Sequence, residues 1–142
     1  MSTDDRSFPC AIPLVVVGAH LTGMPLNGEL NALDAKFLRR SLTAPTYKLF
    51  ELPGGSPPKP GLLRVGAEAG VSIDVELWSL EVDAFGAFVS RVPGPLAIGT
   101  VCLIDGSEEK GFLVEEIAVR DARDISEFGG WRNYQLSLKP AG

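Results

Sequence analysis

The stretch Ile12-Pro13-Leu14-Val15-Val16-Val17-Gly18 has no polar side chain, is rich in β-branched residues and ends in glycine. β-Branched residues favour extended backbone, and an extended segment with no polar face has to be covered on both sides, so the run predicts a central buried strand. This confines the chain to folds with a sheet in the middle. The run is far shorter than the roughly 18 apolar residues a membrane span requires. It follows Asp4 and Asp5 rather than a basic cluster, so neither a span nor an export leader is expected. Directly after it, Ala19-His20-Leu21-Thr22-Gly23-Met24-Pro25 is a loop carrying two breakers, Gly23 and Pro25.

The rest of the chain reads as short strands joined by turns. Leu26, Leu30 and Leu33 fall at i, i+4 and i+7, the spacing of a short amphipathic helix. Residues 37–44 and 47–52 predict strands separated by Pro45, and residues 54–60, rich in Gly and Pro, predict a surface loop. Residues 62–65 and 71–80 predict a hairpin around 66–70. In its second strand Val71, Ile73, Val75 and Leu77 alternate with Ser72, Asp74 and Glu76, which gives one polar face. Phe85, Phe88, Val89 and Val92 predict a helix with Asp83 as N-cap and Pro93-Gly94-Pro95 as its stop. Residues 97–104 and 111–117 predict a hairpin turned at Asp105-Gly106, its loop running on through Glu109. Residues 124–138 are expected to fold back over the core. About seven strands and about two short helices predict an α+β fold with a small curled mixed or antiparallel sheet, rather than a doubly wound one. The 142 residues fit one domain, over 10–142, with a loose polar tail at 1–9.

Charge and composition exclude several functions. Thirteen Lys and Arg against eighteen Asp and Glu leave a net charge of −5, and no nucleic-acid partner is expected from that balance. Two cysteines and one histidine cannot furnish a four-ligand Cys/His zinc site without carboxylates or water, so neither metal nor cofactor is expected. Cys10 and Cys102, unpaired and without an export leader, predict a reducing, cytoplasmic setting, although a disulfide between them stays open. The phosphate-binding loop, the dinucleotide glycine fingerprint and the Gly-x-Ser-x-Gly elbow are all absent from the sequence.

The candidate chemistry sits in residues 18–23. Backbone N–H groups of such a turn can converge on an anion, especially where a helix begins just beyond. His20 is the only side chain whose ordinary pKa lies near neutrality, so it is the candidate proton carrier; its plainer role is to cap the strand end or face solvent. Glu76 lies on the polar face of its strand, where a solvated position is the plainer role. Glu115 is surrounded by Phe112, Leu113, Val114 and Ile117, so it should be paired, with Arg132 and Arg39 as candidates, or raised in pKa. Tyr47 either aims a phenol into a pocket or packs. Trp78 and Trp131 are core or lid residues, and Glu108-Glu109-Lys110 is a solvated turn.

Val16-Val17-Gly18-Ala19-His20-Leu21-Thr22-Gly23-Met24-Pro25-Leu26-Asn27 closely resembles the start of the C-terminal domain of allophanate hydrolases. The resemblance continues in Thr43-Ala44-Pro45-Thr46-Tyr47-Lys48-Leu49-Phe50, in Lys59-Pro60-Gly61-Leu62-Leu63-Arg64-Val65 and in Val75-Glu76-Leu77-Trp78. It extends through Pro95-Leu96-Ala97-Ile98-Gly99-Thr100-Val101 and Lys110-Gly111-Phe112-Leu113-Val114-Glu115 to residues 122–132, so it runs in order over nearly the whole chain. It implies a γ-glutamylcyclotransferase-like fold, a small curled or barrel-like sheet in which Gly18, Ala19, Leu21 and Thr22 form a turn that holds a substrate carboxylate by its backbone. The cyclotransferases use a glutamate near the helix corresponding to 83–92. Here that region reads Phe85-Gly86-Ala87-Phe88-Val89, so cyclotransferase activity is not expected.

In allophanate hydrolases an amidase domain releases ammonia, and the resemblance implies that the C-terminal domain accelerates decarboxylation of N-carboxyurea or a related small carbamate. The resemblance therefore implies a small urea-derived carboxylate as substrate. The Ser–Ser–Lys machinery of the amidase domain is missing from the 142 residues, so a stand-alone domain working with an amidase-domain protein is expected. Carried onto this sequence, His20 is the proton donor, Asn27 and Tyr47 orient the urea end, and Glu76, Glu115 and Arg132 are supporting residues. The alternatives are a non-catalytic module that binds small anions or an amidase partner and, disfavoured by the missing glutamate, a cyclotransferase-like enzyme.

Overall fold

A computed structural model describes residues 10–139. The tail expected at residues 1–9 lies outside the described residues. The first half comprises β1 (Ala11–Val16), α1 (Asn27–Ala32), β2 (Lys36–Leu42), β3 (Tyr47–Glu51) and β4 (Pro60–Arg64). The second comprises β5 (Asp74–Glu81), α2 (Val82–Ser90), β6 (Leu96–Cys102), β7 (Glu108–Val114), β8 (Arg123–Asp124) and α3 (Trp131–Ser137). Single 3-10 turns at Glu116–Val119 and Ser126–Phe128 flank β8.

β1 is the middle strand of a five-stranded sheet ordered β2-β5-β1-β7-β6, antiparallel to β5 and parallel to β7. Its burial is graded along the strand: Ala11 is exposed, Ile12 and Pro13 are half-buried, and Leu14, Val15 and Val16 are inaccessible. A second sheet, β4-β3-β8, is antiparallel throughout, and neither sheet closes into a barrel. The architecture is α+β, a mixed sheet with a few short helices. Among the described residues no helix is long and apolar enough to cross a membrane.

The hairpin expected from 62–65 and 71–80 does not form. β4 pairs with β3, and β5 pairs with β1 and β2 in the other sheet. The chain changes sheets at Gly70, where a Cβ would lie 2.6 Å from the backbone of Thr46; only glycine lets the strands pass this close. The one-sided pattern of 71–77 also fails at its centre, where Val75, Glu76, Leu77 and Trp78 are all buried.

The Asp105-Gly106 turn is present between β6 and β7, with Gly106 at φ +90° and Asp105 Oδ1 accepting the N–H of Ser107 at 2.9 Å. β7 begins at Glu108, so the loop ends before Glu109 rather than running through it. α1 and α2 form with Leu30 and Phe88 buried. The N-cap of α2 is Glu81, not Asp83, whose carboxylate accepts the neighbouring N–H of Ala84. α3 is a third helix beyond those expected; it folds back and buries Trp131 and Tyr134. Cys10 and Cys102 are free thiols.

At the end of β1 the main chain passes against the first residue of β4. A Cβ on Gly18 would lie 2.2 Å from Pro60 Cδ and 2.4 Å from Pro60 Cγ, inside the ring. Gly18→Ala should therefore overpack the contact and cost about 1–3 kcal/mol. Urea unfolding checks this, and an unchanged midpoint would contradict the contact.

Candidate active site

Beyond Gly18 the chain leaves the sheet in successive turns. Leu21 N–H donates to Gly18 O at 3.0 Å, Met24 N–H to Leu21 O at 2.9 Å and Leu26 N–H to Ala19 O at 2.8 Å. Ala19 and Leu21 are buried and pin the loop to the core. Asn27, the first residue of α1, donates from Nδ2 to the carbonyl of His20 at 2.9 Å. Among the described residues, the N–H groups of Gly18, Ala19 and His20 meet no protein acceptor.

Beneath the loop lies Glu76, 2% exposed. Its Oε1 accepts Thr22 N–H at 2.9 Å, Thr22 Oγ1 at 3.0 Å and Trp78 Nε1 at 3.1 Å. Its Oε2 accepts Arg132 Nη2 at 3.2 Å, and the same guanidinium donates to Thr22 O at 2.7 Å. Burial pushes the carboxyl pKa up. The Thr22 N–H, the Trp78 indole, the Thr22 hydroxyl and Arg132 together outweigh it, so Glu76 is held below its ordinary 4.5 and stays ionised. It ties β5, the loop and α3 together.

His20 stands above this anchor with its side chain 12% exposed. The ring stacks on Phe112 at 5.3 Å and meets the edge of Phe88 at 5.1 Å. Nε2 lies 2.8 Å from Glu29 Oε1 on α1. An ionised carboxylate only accepts, so the ring proton facing Glu29 belongs on Nε2 and the neutral ring keeps Nδ1 as an acceptor. Burial lowers the His20 pKa; the hydrogen bond and charge of Glu29 raise it, and Lys59 lowers it again, for a net value below 6.5. His20 is therefore mainly neutral at pH 7 in the free protein. Protonation costs more in the folded than in the unfolded chain, so this group's contribution to stability is present above 6.5 and is lost as pH falls below it. Following the ring proton by NMR should give a midpoint below 6.5, and a midpoint above it would contradict the burial of the ring.

A cleft of about 260 Å³ opens beside the ring, lined by His20, Glu29, Lys59, Phe88, Arg91 and Phe112 among others. A recess of about 20 Å³ adjoins Gly18, Ala19, His20 and Lys59. The cleft thus combines an imidazole backed by a carboxylate, the Lys59 ammonium and aromatic walls. This set can bind a small anion and move a proton at its far end.

The expected site residues divide. Gly18, Ala19 and His20 meet at the recess. Leu21 and Thr22 do not offer amides, because theirs are committed to Gly18 O and Glu76. Asn27 spends one amide N–H on the His20 carbonyl and its Oδ1 on Asn31 Nδ2, and it does not line the cleft. Tyr47 lies in the core, fully buried, with its OH accepting Cys102 N–H at 2.9 Å, so it lines no part of the cleft. Glu115 is exposed and pairs with neither candidate: Arg132 is engaged by Glu76, and Arg39 faces Asp105 at 3.9 Å. Glu76 and Arg132 pair with each other beneath the loop, at 3.2 Å. Glu29, Lys59, Arg91 and Phe88 were missed as cleft residues. Glu29 carried a usable signal, since it stands on α1 off the Leu26, Leu30, Leu33 stripe, just past the loop.

The family model described as allophanate hydrolase C-terminal domain matches residues 12–136. A urea amidolyase of Lachancea kluyveri is 42% identical over 138 residues, covering 95% of this chain and 8% of that protein, so the chain spans less than a tenth of the relative's length. Among solved structures, Kluyveromyces lactis allophanate hydrolase superposes with a TM-score of 0.87 at 40% identity, over 91% of this chain and 22% of that one. A uropathogenic E. coli-specific protein superposes at 0.81 with 34% identity, over 91% of this chain and 98% of that one. A γ-glutamyl cyclotransferase at 0.58 and 10% identity shares the fold alone. With the family model spanning nearly all of the described chain and relatives of this identity, the chain belongs to the allophanate hydrolase C-terminal domain family.

Proposed function

We propose that the chain promotes decarboxylation of a small carbamate, in step with an amidase-domain partner; N-carboxyurea is allophanate itself, so hydrolytic release of ammonia leaves N-carboxycarbamate as the substrate. The open cleft beside His20 is the observation that carries this reading. A module kept only for docking has no need of a cavity large enough for a small acid. In the reaction the bond between nitrogen and one carboxylate carbon breaks, its electron pair stays on the carbamate nitrogen, and carbon dioxide departs. The nitrogen takes a proton from His20, which recovers one from solvent, so the balance is N-carboxycarbamate dianion plus a proton giving carbamate plus carbon dioxide. A bound anion beside the ring favours the imidazolium, which supplies the proton that the free protein's neutral ring lacks. The unpartnered amides of Gly18, Ala19 and His20 can hold negative charge on the carbamate oxygens. Free thiols at Cys10 and Cys102 support a reducing, cytoplasmic setting.

An isolated amidase domain acting on allophanate, with and without this chain, tests the reading. Carbon dioxide release should rise on addition of the chain while ammonia release stays unchanged. Unaltered carbon dioxide release would defeat the reading and favour a docking module, which the much longer length of the urea amidolyase relative also suits.

A further inference from the structure

The start of α1 is fastened to the main chain at His20. Leu26 N–H donates to Ala19 O at 2.8 Å, and Asn27 Nδ2 donates to His20 O at 2.9 Å. Two residues further on, the Glu29 carboxylate reaches back to His20 Nε2 at 2.8 Å. A carboxylate in the first turn of a helix ordinarily serves the free N–H groups there. Among the described residues, Glu29 instead makes its side-chain hydrogen bond to His20 alone. The other ring nitrogen, Nδ1, meets no protein donor or acceptor among the described residues. Phe112 and Phe88 hold the ring between them, so exchanging Nδ1 for Nε2 would break the Glu29 bond against packed aromatic rings. Glu29 lines the cleft but not the recess at Gly18 and Ala19, whereas His20 lines both. The charged groups acting on the ring are Glu29 from α1 and Lys59 from the segment before β4, with Arg91 at the end of α2 in the same cleft. From β7 and the body of α2 only Phe112 and Phe88 face it.

We propose that Glu29 is the positioning residue of His20: it fixes Nε2 as the bonded nitrogen and leaves Nδ1 as the atom that takes up and delivers the proton. The role rests on the decarboxylation reading for the identity of the proton acceptor, but the assignment of the two nitrogens is read out without turnover. Delivery from Nε2 would break the Glu29 bond in every cycle, whereas delivery from Nδ1 leaves it in place. In the step, the Nδ1–H bond breaks, its electron pair returns to the ring, and the proton joins the carbamate nitrogen that carbon dioxide has left. Solvent then replaces the proton at Nδ1. The Glu29 contact strengthens when the ring is charged, because a hydrogen bond becomes an ion pair. Glu29 thereby supports the imidazolium against burial, which works the other way. It touches no reacting atom and acts through the ring.

His20 is the only histidine of the chain, so NMR of its ring nitrogens in the full chain, with isotope-labelled histidine, tests this directly. Above its titration midpoint the wild-type ring should carry its proton on Nε2. Glu29→Gln keeps an accepting oxygen but no charge, and His20 should titrate at a lower pH than in the wild type. In Glu29→Ala the midpoint should also fall, and the neutral ring should populate the Nδ1–H form beside the Nε2–H form. The Glu29 side chain is 57% exposed, so neither variant leaves a buried hole. Glu116→Gln, which removes an exposed carboxylate paired with Arg120, should leave the His20 midpoint in place. In carbon dioxide release, Glu29→Ala should lower kcat at least about tenfold, the scale for losing a partner that orients an imidazole. For Glu29→Gln, kcat/KM should match the wild type in acid and fall behind as pH rises, a pattern that a merely structural role would not produce. A neutral wild-type ring with its proton on Nδ1 overturns the proposal. So does a His20 midpoint that Glu29→Gln and Glu29→Ala leave in place, or a Glu29→Gln deficit equal at every pH. Without accelerated carbon dioxide release by the wild type the decarboxylation reading fails, and the ring nitrogens still decide for or against Glu29. Accelerated release beside an unmoved midpoint would leave that reading standing and remove Glu29 from it.

Discussion

Glu76→Ala should be the most destabilising single substitution in the site, at about 3–5 kcal/mol, the cost of removing one partner from a buried charge network. The carboxylate serves four hydrogen bonds from three side chains and one backbone N–H, all within 3.2 Å. Alanine would strand the Thr22 N–H and the Trp78 indole without acceptors, each at about 1–3 kcal/mol where water cannot reach. Arg132 adds less, because its side chain is 28% exposed and can turn to solvent. Glu76→Gln keeps an acceptor and should lose less than alanine does. The pH dependence follows from the direction of the shift. Because the folded pKa lies below 4.5, the stabilisation is present above 4.5 and is lost as pH falls through the folded value. Urea unfolding of both proteins should therefore show a gap that is widest near neutrality and closes in acid. A gap that is constant with pH, or smaller than about 1 kcal/mol, would mean that Glu76 is not the loop's anchor.

What the sequence revealed and what it hid follow the range of the interactions. β1 was legible because seven successive residues carry the whole signal, and the Asp105-Gly106 turn was legible because Gly106 needs its positive φ locally. α1 and α2 showed themselves by leucine and phenylalanine spacing within one or two turns. The partners of β4 and β5 were not legible. Five residues separating two strand-like runs look like a hairpin, and only the close pass of Gly70 against Thr46 sends the chain to another sheet. Glu76 was misread for the same reason. Alternation put it on a polar face, but that face is roofed by Thr22 and Arg132, 54 and 56 residues away. Tyr47, an aromatic with a polar tip, gave no hint that its hydroxyl would serve the backbone of Cys102 on β6. His20 stood out in the sequence as the lone histidine in a loop after a buried strand, and it lines the cleft. Its acid partner Glu29 and its neighbour Lys59 lie on elements whose packing no local pattern encodes.

The central claim is that His20 supplies the proton. His20→Asn keeps a hydrogen-bonding side chain of similar reach beside Glu29 but cannot become a cation, so the fold and much of the anion binding should survive. General acid catalysis contributes about 10²- to 10⁴-fold, or roughly 3–5 kcal/mol of barrier. The loss should appear in kcat and kcat/KM together, since the proton moves only in the transition state. For the wild type, kcat/KM should fall as pH rises through the free histidine's value below 6.5, while kcat should hold to a higher pH because the bound anion favours the imidazolium.

The most direct measurement is rapid-mixing detection of carbon dioxide release from N-carboxycarbamate generated from allophanate by an isolated amidase domain, with wild-type chain and with His20→Asn at matched concentrations. The expected result is a decarboxylation rate at least about a hundredfold lower for His20→Asn, over the uncatalysed background, and a wild-type rate that declines with rising pH. Equal rates for the two proteins, or a wild-type rate flat from about pH 6 to 9, would contradict the account and leave the loop amides and the cleft as a binding site alone.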